Sequence, residues 1–277
     1  MHTSVNIKTG SPGNKRRNLI LVSLLIVVLA SSLCVYMFML NNDDGVVCVT
    51  SESELRNAVD NAPYAEMFVI TFDNDITLTG GLSIPTGKDI ILSSKNQKEY
   101  FKLINANNGI DSVLYVWGTL RINGIIITHA EGTTGRGVEI GSSGTFHLYS
   151  GKISGNNIWG INGGGGVLNQ GTFEMYGGTI SGNSAANGGG VDNSGVFTMY
   201  GGTISGNVAR YPHDTHGVNS GGGVCTSGTF VMYDGTISDN TARVGGGVYR
   251  SWGSFDWRGG KIYGNTADTD ENVYEYQ

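Results

Sequence analysis

Two carboxyl groups held about 5–10 Å apart across a sugar ring can cleave a glycosidic bond, one as acid and the other as nucleophile or base. In this 277-residue chain the nearest approach to such a set is Asp234, Asp239 and Asp256, on adjacent repeats. Asp234 and Asp239 each replace a glycine of the neighbouring repeats, a turn position that aspartate fills for structural reasons. No catalytic residue is assigned. A second group of chemical interest is Tyr211, His213, Asp214 and His216 in the insertion 210–220. Loops that interrupt a regular fold often carry its recognition surface, so these four residues are candidate ligand contacts. Two histidines three apart in a loop fall short of a metal site, and no metal or cofactor is expected. P-loop, dinucleotide-binding and zinc-cysteine patterns are absent.

Tyr149, Tyr176, Tyr200 and Tyr233 each follow an apolar Leu or Met at the same place in successive repeats. Stacked in register they form an aromatic strip, suited either to packing along a sheet edge or to contact with sugars or a protein partner.

The elements that position these residues come from an internal repeat. GTFEMYGGTISGN from Gly171 recurs from Gly144, Gly195, Gly228 and Gly253, at intervals of 27, 24, 33 and 25 residues. Each unit holds three short segments separated by glycine turns, a pattern of strands rather than helices. Phe146, Phe173, Phe197, Phe230 and Phe255 share one column; Ile153, Ile180, Ile204, Ile237 and Ile262 share a second; Val167, Val191, Val224 and Val248 share a third. One unit cannot bury its apolar side alone, whereas stacking units at about 4.8 Å rests each residue on its equivalent. The fold expected is therefore all-β: a single-stranded parallel β-helix of about 24 residues per coil, right-handed by the general preference of parallel connections. Asn156, Asn183, Asn207, Asn240 and Asn265 recur just after the second strand and are expected to stack as an amide column along the axis.

Regular repeats occupy 144–277, and 67–143 are expected to form about three irregular coils. Residues 45–66 are expected to cap the bottom coil: Ser51 and Glu54 have the spacing of a capping box, Leu55, Ala58, Val59 and Ala62 line one helical face, and Pro63 ends it. Upstream, Leu19–Leu40 is uncharged and long enough for a transmembrane helix. Lys15-Arg16-Arg17 just before it place the basic segment 1–18 in the cytoplasm and 41–277 outside. A signal peptide cleaved near Ala30-Ser31-Ser32 is the alternative; both export the repeats. Residues 41–277 hold 13 basic against 23 acidic residues, a formal charge of −10, which disfavours nucleic acid as a partner. Glycine is abundant, at 45 residues, but clusters in runs rather than at every third position, which excludes collagen.

The repeated GTFxMxGGTISGNxAxxGGGV, with VTSESELRNAVDNA and ITFDNDITLTGGLSIPTGKDIILSS upstream, resembles adhesin-like surface proteins of prokaryotes with pectate-lyase-like β-helices. It is also similar to the repeats of chlamydial polymorphic outer-membrane proteins. The resemblance implies a cell-surface structural or adhesive protein that meets a glycan or protein partner. Because such β-helices also carry polysaccharide lyases and glycosidases, a surface enzyme of that type is the alternative, and a passive stalk module is a third.

Overall fold

The computed structural model describes residues 46–96, 98–107, 109, 111–158, 163–210 and 219–275. The expected membrane segment 19–40 and the loop residues Tyr211, His213, Asp214 and His216 lie outside the described residues. Among the described residues no helix is long and apolar enough to cross a membrane.

The described chain is a right-handed parallel β-solenoid of about nine turns with one α-helix. Three stacks of strands wind around its axis. The first carries the Phe-x-Leu/Met segments, such as Thr172–Met175, Val196–Met199 and Thr229–Met232. The second carries the isoleucine segments Thr179–Ser181, Thr203–Ser205 and Thr236–Ser238. The third runs from Leu82–Ile84 to Val273–Glu275. In the middle of the molecule Thr119–His129 and Thr145–Ser154 each pass from the first stack into the second without a break, with irregular register where the chain bends at Ser150 and Gly151.

Every pairing between these strands is parallel, and like sits on like. Phe146, Phe173, Phe197 and Phe230 are fully buried, with ring centroids 5.3, 4.6 and 4.6 Å apart. Ile153, Ile180, Ile204 and Ile237 are equally buried behind the second stack, and Val138, Val167, Val191, Val224 and Val248 behind the third. Period-two alternation sends alternate residues of each strand inward and those between them outward, so a coil of about two dozen residues supplies a complete apolar layer.

Glycine runs let the chain pass close to this interior. A Cβ on Gly190 would lie 2.6 Å from the Gly223 carbonyl oxygen and 2.9 Å from Ile204 Cγ2, closer than atoms can pack. Gly206, by contrast, is needed for its backbone, at φ +63°.

The first turn differs from a purely helical cap. Val46–Val49 is a strand, paired with Met67–Phe72, and the helix α1 (Glu52–Asn61) follows it. Ser51 caps α1 by accepting from the Glu54 amide, but the Glu54 carboxylate reaches Thr50 N–H, at 2.7 Å, rather than closing the box on Ser51. Leu55, Ala58, Val59 and Ala62 are buried against the bottom coil. A further strand outside the expected runs, Phe101–Asn105, adds a rung to the second stack between Ile76–Leu78 and Thr119–His129.

Candidate functional site

In four successive coils a tyrosine follows the inward Leu or Met of the first stack, inside the continuous strand Thr145–Ser154 in the first of them and at the strand end before a glycine turn in the other three. Tyr149, Tyr176, Tyr200 and Tyr233 form a ladder with centroids 4.9, 4.9 and 5.3 Å apart and rings within 16° of parallel. All four are half-buried. Their faces lie against one another, so the strip presents ring edges and hydroxyls outward. A sugar or protein partner would meet this hydrogen-bonding edge rather than a flat aromatic platform. The Arg258 guanidinium lies 5.0 Å from the Tyr233 centroid and its Nη1 donates to the Tyr233 hydroxyl at 2.8 Å, which closes the far end of the ladder.

Beside the ladder runs the outward line Arg121, His147, Glu174, Thr198, Val231 and Asp256, each in register with the next. Glu174 accepts from the Tyr176 hydroxyl at 2.9 Å. His147 Nδ1 lies 2.9 Å from the same carboxylate, an ion-pair distance without hydrogen-bond alignment. His147 chiefly, with Tyr176, holds the Glu174 carboxyl below its usual range, against the opposite pull of burial. Burial raises the Tyr176 and Tyr200 hydroxyls above theirs, so both remain protonated donors at neutral pH.

The three aspartates do not converge. Asp234 caps the Gly235 amide, Asp239 adopts φ +57° and accepts from the Ser238 hydroxyl, and Asp256 pairs with Arg258 at 2.6 Å. Asp234 and Asp239 stand at opposite ends of the strand Thr236–Ser238. Each serves its own turn or pair.

The asparagine column is continuous and directional. The side-chain amides of Asn156, Asn183, Asn207 and Asn240 each donate to the carbonyl oxygen of the next, at 2.9 to 3.0 Å, and Asn265 donates onward to Asn272 at 3.1 Å. The same oxygens also take the backbone N–H of the preceding asparagine. His129 occupies the head of the column, with Nδ1 2.9 Å from Asn156 Oδ1 and Nε2 3.0 Å from the Asp111 carbonyl. Sequence reading did not single out His129, nor a second column in which Asn169 donates to Asn193 and Asn193 to Thr226. The recurrent Val-x-Asn of the third strand is the signal that marks the latter.

On the outer side of the third stack Asp192 lies in register with Cys225. Burial pushes the Asp192 carboxyl up to about 6, with Arg136 partly opposing, and pushes the Cys225 thiol up to about 12. Such a thiol is inert at neutral pH. Cys48, by contrast, is exposed on the first strand.

No protein-family model, curated protein or solved structure matches this chain. Among the described residues no group of three or more His, Cys, Asp and Glu is placed to hold a metal ion.

Proposed function

We propose that this chain is a membrane-anchored cell-surface protein of structural and adhesive type, held by Leu19–Leu40, whose β-helix meets glycan or protein partners outside the cell. The tyrosine ladder is the observation that carries the adhesive part. Four rings locked edge-outward on a stiff sheet, with Glu174 and Arg258 beside them, hold donors and acceptors at fixed spacing. A ligand that bonds to them orders few side chains on binding, which lowers the entropic cost of association. The uncharged 22-residue stretch and the basic cluster before it support the anchor and its orientation. The resemblance to adhesin-like repeat proteins points the same way.

Two measurements test the reading. On intact cells a membrane-impermeant maleimide should label the exposed Cys48, and Cys48→Ser should abolish the signal; labelling only after lysis removes the surface assignment. Full-length chain in detergent should bind members of an array of glycans and extracellular proteins. Tyr200→Phe keeps the stack and removes one hydroxyl, so a drop in binding by this variant supports recognition through the edge. Binding unchanged in both Tyr200→Phe and Tyr200→Ser sinks it.

A further inference from the structure

A groove of about 560 Å³ opens on the outer side of the second stack, over the irregular coils and the first regular one. Its floor interrupts a pattern. In three successive regular coils the outward positions of this sheet are small hydroxyls, Thr179, Thr203 and Thr236 in one column and Ser181, Ser205 and Ser238 in the other, before Lys261 and Tyr263 end both columns. In the groove the first column instead reads Lys102, Ile126, Lys152, in register on three successive strands. Ile104 stands beside them in the second column, where Thr128 pairs with it.

These substitutions give the groove a definite chemistry. The two ammonium groups start from backbones two rungs apart, roughly 10 Å, and flank Ile126. Neither Lys102 nor Lys152 takes part in an ion pair among the described residues. Among the described residues Glu131 is the one carboxylate lining the groove; the Asp75 carboxylate nearby accepts the backbone N–H of Lys102 at 2.8 Å. With Lys102 and Lys152 against Glu131 the lining carries a formal charge of 2 − 1 = +1 on a chain of net charge −6, which favours an anion beside the two ammonium groups rather than over the whole surface. Ile126 and Ile104 offer the half-buried apolar floor on which the non-polar face of a sugar ring can lie, and Thr128 lies within reach of its hydroxyls.

We propose that this groove binds a linear acidic oligosaccharide bearing carboxylate or sulfate groups on alternate sugars, one anion to each lysine and the intervening ring over Ile126. The proposal rests on the glycan-binding reading of the surface and names the ligand class and the place. A peptide added as an extra strand is disfavoured because the backbone of Phe101–Asn105, Thr119–His129 and Thr145–Ser154 is already paired on both sides.

The test uses full-length chain in detergent at low salt, with hyaluronan hexasaccharide as probe and its carboxyl-reduced form as neutral control. The acidic form should bind and the reduced form should not. Lys102→Gln and Lys152→Gln should each weaken binding about fivefold, the size expected for an exposed ion pair, and Ile126→Glu should abolish it. All three positions face outward, so the circular dichroism spectrum and melting temperature serve as controls for folding. Equal binding of the two forms, or full affinity in both lysine variants, overturns the proposal. Tetraglutamate or a single-stranded oligonucleotide binding in place of the hexasaccharide overturns the ligand class. If array binding is lost in Tyr200→Ser but not in the lysine variants, the surface reading stands and the groove falls; an array on which nothing binds removes both.

Discussion

The asparagines after the second strand combine two tasks that usually need different residues. Each is buried, and from Asn183 to Asn265 each oxygen takes both a side-chain amide and a backbone N–H from the coil before it. A fully satisfied column stiffens the turn, whereas a broken one strands polar groups in the interior. Asp192 is the opposite case, a carboxyl buried with only partial relief from Arg136. Its folded pKa is raised from 3.8 to about 6, so the folded state binds the proton more tightly than the unfolded chain does. The stability linked to that proton is complete below about pH 4 and is lost as pH rises through about 6, a loss of about 3 kcal/mol by neutral pH. Asp192→Asn should flatten this dependence in denaturant titrations at pH 4.5 and 7.5, and should raise stability at the higher pH. An unchanged slope between the two would show that the carboxyl stays solvated. The asparagine column was legible in sequence because identical residues recur at the coil spacing. Asp192 was not, because Leu168 and Cys225 stand at the equivalent positions of its neighbours and a single residue has no period.

Among the elements, α1 and the strand Phe101–Asn105 show where pattern reading succeeds and where it stops. The helix was legible from its cap and its apolar face. Its far end is finished by a residue 26 positions away from Ala62: the buried Lys88 ammonium donates to the carbonyls of Asp60, at 3.1 Å, and of Ala62, and lies 4.2 Å from the Tyr64 centroid. That cation satisfies carbonyls which a helix leaves without partners and sits at the negative end of its dipole. Lys88→Met keeps the length of the side chain and removes the donors. It should cost about 2 kcal/mol, lower the melting temperature by several degrees, and strip hydrogen-exchange protection from Leu55 and Val59. Retained protection there would show that apolar docking alone holds the cap. Phe101–Asn105 escaped because it stands alone after the polar run KNQKEY, outside the regular repeat. The groove escaped with it, since Lys102 lies on that strand. One local sign was available: in Ile125-Ile126-Ile127 the alternation of a strand turns the middle residue outward.

At the scale of the whole solenoid, each coil touches only the coils above and below it, so stability accumulates as a chain of nearest-neighbour terms. The phenylalanine column makes this testable, because Phe197 lies 4.6 Å from both Phe173 and Phe230 and is fully buried. Phe197→Ala removes the middle ring and leaves a cavity that neighbours on a regular sheet can fill only in part, a loss of about 3–5 kcal/mol. In a one-dimensional array that loss stays local. Hydrogen exchange should speed up in Thr172–Met175, Val196–Met199 and Thr229–Met232, while Asp89–Ser94, several coils away and nearer the helical cap, keeps its protection. A uniform rise in exchange over all coils would mean that the domain opens as one cooperative unit. The tyrosine ladder and the groove would then be coupled through the core, and loosening one would be felt at the other.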